Sequence, residues 1–212
     1  MTSLGLSWVD FAIALLLLWG VLRGRKRGMS EELLDIIKWG LIVVVAGAAY
    51  QPIGKWLAQL SVFSLLSSYI FVYASIALLI FALFAFIRSK VGGKITGSEM
   101  FGGAEYYLGM MAGGFRYFCV ILVVMSFLNA RLYSEEDIRA SIKYQDDNFG
   151  SQFFPTLPNL QQQVFKSSLC GKVVHNFIPV VLIKSTPSSS KDIRSAATRV
   201  HARELEEVLD HK

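Results

Sequence analysis

The stretch from Trp8 to Trp39 sets the tightest limit on what this chain can fold into. An apolar run, WVDFAIALLLLWGVL, is followed at once by a basic knot, RGRKRG (Arg23 to Gly28), and by an amphipathic return, MSEELLDIIKWG. Counted from Leu4, the apolar run is about long enough to cross a bilayer as a helix, which takes ~20 mostly apolar residues. Arg23, Arg25, Lys26 and Arg27 crowd its downstream end. Basic residues are held on the cytoplasmic side, so the knot reads as the inner flank of a first span. The leading MTSLGLS has no basic region, and no small-residue cleavage site follows the apolar run, so the reading is a retained span.

Composition agrees. Mean hydropathy is +0.46, and 17% of residues are charged, against about 25% in soluble domains. A length of 212 residues accommodates a small bundle of spans with one modest extramembrane piece. The formal charge of +5 is mostly a collar around the spans, which suits the lipid bilayer and its anionic headgroups and argues against nucleic acid. The two cysteines are Cys119, in an apolar run, and Cys170, in a polar one. They suggest neither a disulfide framework nor a metal site, and no cofactor is expected.

The expected fold is all-α, a polytopic membrane protein with four transmembrane helices and short extramembrane C-terminal helices. The spans are drawn at Leu4 to Leu22, Leu33 to Tyr50, Leu65 to Ile87 and Tyr107 to Leu128, with Gln51-Pro52 ending or kinking the second because proline lacks the amide donor. The first loop carries the knot and the third carries Arg88, Lys90 and Lys94, whereas the second carries only Lys55. Both basic loops are therefore placed in the cytoplasm and both termini outside, in an inner membrane of bacterial type. Residues 1–130 form the four-span domain and 131–183 an amphipathic, interfacial segment. Residues 184–212, with a Ser/Pro-rich linker, read as a polar and mobile tail. Within the second of these, Ser134 to Asp137 resembles a capped helix start. Leu160, Val164, Leu169 and Val173 fall on one side of a further helix at the outer boundary.

Two constellations stand out. Gly109 and Gly113 form a GxxxG pair in the fourth span, and Gly20, Gly24 and Gly28 repeat the spacing at the end of the first. Small residues at this interval let helix backbones approach closely. A phosphate-cradling role is not supported, because no strand or Lys-Ser/Thr pair accompanies the glycines. The second constellation is charge within spans, where an ionisable residue costs on the order of 3 kcal/mol and raises a functional question. At ~1.5 Å per residue from the inner ends, Asp10 stands ~18 Å and Arg116 ~13.5 Å up, so the two are candidates for an intramembrane ion pair. The alternative is that Asp10 reaches the outer surface and Arg116 bends inward. Lys38 lies near an inner end and can snorkel to the headgroups. Glu31 and Glu32 open a helix, where acids suit the helix dipole. His175, His201 and His211 all lie in the polar tail, and no serine or cysteine has a base at recognisable spacing. No catalytic residues are assigned, and the chain is not expected to be an enzyme.

These residues together resemble the colicin V production protein family of small bacterial inner-membrane proteins. The resemblance covers Trp8 to Leu128. It rests on the acid just inside the first span (Asp10), on Arg27-Gly28, on Glu32-Leu33-Leu34 running to Trp39-Gly40, and on Glu105 to Gly109 with Gly113 and Arg116 following. Tyr106 stands where the family usually has arginine, Tyr117 where it has glycine, and Glu31 where a basic residue is usual. The resemblance implies a role in production or export of a secreted toxin, or in the cell envelope, and supplies no reaction. The expectation is a non-enzymatic membrane factor that associates with itself or with other membrane proteins. The rival is a subunit of an oligomeric small-solute or ion transporter or channel, its polar path lined by Asp10 and Arg116.

Overall fold

The computed structural model describes residues 7–60, 64–95, 102–149 and 156–187. Leu4, and the tail beyond Pro187 in which a linker and mobile segment were expected, lie outside them. Among the described residues, three helices are long and apolar enough to cross a membrane, Trp8–Gln59, Leu65–Lys90 and Gly102–Asn129. The first is assembled from α1 (Trp8–Leu41), a wide π turn over Ile42–Ala46, and α2 (Gly47–Leu60). The others contain α3 (Leu65–Ile95) and α4 (Glu105–Asn129).

α1 starts as its sequence dictates. Ser7 accepts a hydrogen bond from the Val9 amide, and the Asp10 carboxylate accepts one from the Ser7 amide at 3.1 Å, a reciprocal capping box. The helix is interrupted at Gly28, whose φ of 79° and ψ of 168° are non-helical. A side chain there would strain the backbone, and an added Cβ would lie 2.7 Å from the Glu105 carboxylate.

What happens at Gly28 follows from its neighbours. Before it, α1 runs antiparallel to α4: Gly20 meets Gly113, Gly24 meets Gly109, and Gly28 meets Glu105. After it, the Ser30 amide donates to Glu105 at 2.6 Å, and Glu32 and Asp35 both reach Arg116. At ~1.5 Å per residue, Arg116 stands roughly 16 Å along α4 from Glu105. A helix continuing straight through Gly28 would carry Glu32 away from Arg116. The chain therefore turns back at Gly28 and runs alongside α4 in the same direction.

α3 pairs antiparallel with this returning arm. Gly54 packs on Tyr69, Tyr50 stands 6.4 Å from Tyr73 between ring centres, Trp39 meets Phe81 edge-on, and Asp35 lies near Arg88. Pro52 does not end the arm, since α2 continues to Leu60 with the proline inside. The wide turn over Ile42–Ala46 precedes it.

After α4, α5 (Glu135–Phe149) opens with Ser134 and Asp137 exchanging backbone–side-chain bonds, each at 3.1 Å. A second group follows: α6 (Leu157–Gln162), a π turn over Gln163–Ser167, and α7 (Leu169–Phe177). The chain then extends across the ends of α2 and α4. Two-residue strands β1 (Arg131–Leu132) and β2 (Thr186–Pro187) pair in parallel. Leu182 and Ile183 are buried, and the Tyr50 hydroxyl donates to the Leu182 carbonyl at 3.2 Å while accepting from the Lys184 amide at 2.9 Å. Lys184 to Thr186, assigned to the tail by sequence, are thus bound in the fold.

The single apolar face expected over Leu160 to Val173 is not formed. Ser168 leaves the helix (φ −76°, ψ 138°) and caps α7 by accepting from the Gly171 amide. The break rotates the second half. Val164 and Val174 join the core beside Cys119, Leu122 and Met125, whereas Val173 faces outward.

Candidate functional site

The charges that the sequence leaves inside apolar helices fall into two separate groups. The larger one lies just past the reversal at Gly28. Glu32 and Asp35 are one helical turn apart on the returning arm, and they are 1% and 5% exposed. Arg116, projecting from α4, donates to Glu32 Oε2 at 2.8 Å and Oε1 at 3.1 Å, and to Asp35 Oδ2 at 3.1 Å. The Lys38 ammonium donates to Asp35 Oδ1 at 2.7 Å and sits 4.4 Å from the centre of the Phe81 ring. Arg27 comes within 3.5 Å of Glu32 and 3.6 Å of Asp35, and Arg88 of α3 within 3.9 Å of Asp35. Two buried acids thus tie together both arms of α1, α3 and α4. Each charge has an opposite within reach, which is the condition for keeping charge in an apolar interior.

Beneath the cluster is the glycine contact that allows it. An added Cβ on Gly20 would lie 2.6 Å from the Tyr117 ring, and one on Gly24 would run into the Gly109 carbonyl. Gly109 and Gly113 face Gly24, Gly28 and Gly20 in the same way. The five glycines form one seam along which the backbones of α1 and α4 touch. Gly40 differs, because a Cβ there would meet nothing.

The second group is at the other end of the bundle. Asp10 accepts from the Ser168 hydroxyl at 2.6 Å, the Cys170 amide at 3.1 Å and the Leu169 amide at 3.2 Å. It thereby serves two helix starts at once, its own and that of α7, where unpaired amides favour a carboxylate. Burial, reinforced by the bond to and the charge of Asp10, pushes the Cys170 thiol above its ordinary range.

The structure does not bring Asp10 and Arg116 together. Arg116 pairs instead with Glu32 and Asp35, and Asp10, expected in the alternative to reach the surface, is buried against Ser168 to Cys170. Depth along the helices was a poor guide because an arginine side chain spans several ångströms and points where acids are. Lys38 is likewise paired with Asp35 and ring-stacked, and it does not snorkel. Glu32 stands in the first turn of the returning arm after the break at Gly28, and it is also buried in the cluster as a partner of Arg116. Asp35 was missed altogether. Its signal was available, since Glu32, Asp35 and Lys38 recur every third residue on one helix face.

A family model described as colicin V production protein matches residues 9–145. The chain belongs to the colicin V production protein family. No curated protein and no solved structure matches the chain. The portion shared with the colicin V production family contains the whole charge cluster, the glycine seam and Asp10, while α6, α7 and the extended segment to Pro187 fall outside it. Asp10 is therefore a family-region residue whose partners Ser168 to Cys170 lie beyond the matched portion. Family and apolar helices together fit a membrane protein involved in colicin production.

Proposed function

We propose that the protein is a non-enzymatic factor of the bacterial inner membrane that supports toxin production or export, and the envelope, by packing with other membrane proteins or a second copy of itself. In this reading the reversal at Gly28 makes four spans of the three apolar helices, with the basic turn in the cytoplasm and both termini outside. The observation carrying it is how the intramembrane charges are used. Glu32 and Asp35 are held by Arg116, Lys38 and Arg27, so they act as braces between helices. Cells that carry a colicin V determinant and lack this protein should release less toxin into the medium. Wild-type protein should restore release, and Arg116→Gln should not. Release unchanged by the deletion overturns the proposal.

One observation favours the transporter reading. A cavity of about 170 Å³ opens beside Asp35, between Lys38, Phe81, Phe84 and Arg88. Flux of ions or small solutes through liposomes containing the purified protein, abolished by Asp35→Asn, would favour that reading over a packing factor.

A further inference from the structure

A groove of about 890 Å³ runs between α1 and α4 on the face that leads to the basic turn. One wall is α1: a stripe of Trp19, Leu22, Arg23 and Lys26, spaced at helical intervals, together with Arg25. The other wall is Tyr106, Tyr107 and Met110 of α4. The glycine seam draws the two backbones together beside it. Chemistry changes along its length, from the apolar end at Trp19, Leu22 and Met110 to the cationic end at Arg23, Arg25 and Lys26. From Trp19 to Lys26 the rise is ~10 Å at 1.5 Å per residue, the depth over which a bilayer passes from acyl chain to headgroup.

Two further observations narrow the occupant. Arg27, Lys38, Arg88 and Arg116 are matched to Glu32 and Asp35, but Arg23, Arg25 and Lys26 make no ion pair among the described residues and are exposed. The apolar end is continuous with the outward-facing Leu15, Leu18 and Trp19 of α1, so what fills the groove arrives from the lipid side. Basic pockets between membrane helices recognise anionic headgroups, and tyrosine and tryptophan settle at headgroup level.

We propose that this groove binds one anionic glycerophospholipid, its phosphate among Arg23, Arg25 and Lys26 and its acyl chains against Trp19, Leu22 and Met110. Tyr106 and Tyr107 flank the glycerol region. The test uses the purified full-length chain, equilibrated with equal amounts of phosphatidylglycerol and phosphatidylcholine and examined by native mass spectrometry. Wild type should retain phosphatidylglycerol selectively. Arg23→Gln/Arg25→Gln/Lys26→Gln should weaken that retention at least about tenfold, since each cation near a surface contributes roughly fivefold. Lys55→Gln/Lys166→Gln/Lys172→Gln removes equal charge from exposed positions elsewhere and should leave retention intact. Tyr106→Glu keeps every cation and places a negative charge in the opposite wall, so it too should expel the lipid and covers the case of a poorly folded triple variant. Equal loss in the two triple variants, retention unchanged by Tyr106→Glu, or displacement of the lipid by millimolar inorganic phosphate would each overturn the proposal.

Discussion

Arg116 faces two acids from one guanidinium, Glu32 at 2.8 Å and Asp35 at 3.1 Å, and its removal leaves both underpaired in an apolar interior. Breaking a buried pair by deleting one partner costs about 3 kcal/mol. Arg116→Gln should therefore lower the unfolding free energy in detergent by roughly that amount. Adding Glu32→Gln should recover part of it, because the group left without a partner is then neutral. Equilibrium unfolding of the single and double variants measures the coupling, and strictly additive losses would show that the contact carries no stability. Asp10 invites a different measurement. Its carboxylate lies against Cys170, and burial first, then this charge, holds the thiol in its protonated form. The thiolate is the reactive species, so alkylation of Cys170 should rise at a higher pH than for a free cysteine, whose pKa is about 8.5. Asp10→Asn removes the negative charge, which makes ionisation easier and should move that midpoint down. Cys119 is buried, and a Cys119→Ala background isolates the signal.

At the scale of elements, the glycine seam and the reversal are one device. Gly28 lets the chain turn, and Gly20, Gly24, Gly109 and Gly113 let the incoming arm lie against α4 closely enough for Glu105 to cap the returning arm at Ser30. Gly24→Leu should separate the two helices and reduce the folded yield in membranes by several-fold, and Gly40→Leu, at a position with open space, should not. Abundance by quantitative blotting tests both. Much of this was legible, because spacing at intervals of four is a property of the string of letters and survives any choice of partner. Charge pairing was less so. Which acid meets Arg116 depends on the returning arm being brought level with α4, a consequence of Gly28 that spacing within either helix does not contain. Ser168 escaped for a similar reason: periodicity from Leu160 to Val173 continues through it, whereas in the fold its hydroxyl caps α7 at Gly171 and donates to the distant Asp10.

For the whole molecule, the two ends of the bundle are built differently. The end at Gly28 carries the exposed cations Arg23, Arg25 and Lys26. The opposite end is closed by the C-terminal segment, where α7 binds Asp10 and the chain from Leu182 to Thr186 lies over Tyr50, Ser126 and Ala130. This asymmetry bears on orientation, because basic segments are retained in the cytoplasm. The orientation proposed above puts the C-terminal cap outside, and it predicts which positions a membrane-impermeant thiol reagent can reach. In a chain with both native cysteines replaced by alanine, single cysteines at Lys55 and Lys172 should be modified in intact cells. Cysteines at Lys26 and Lys90 should react only after the membrane is opened. Lys26 and Lys172 form the decisive comparison, since they lie at opposite ends of one folded unit whatever the number of spans. Modification at Lys26 with protection at Lys172 would invert the molecule. Modification of both in intact cells would mean that the apolar run from Trp8 to Leu22, which separates Asp10 and α7 from Lys26, does not cross the membrane.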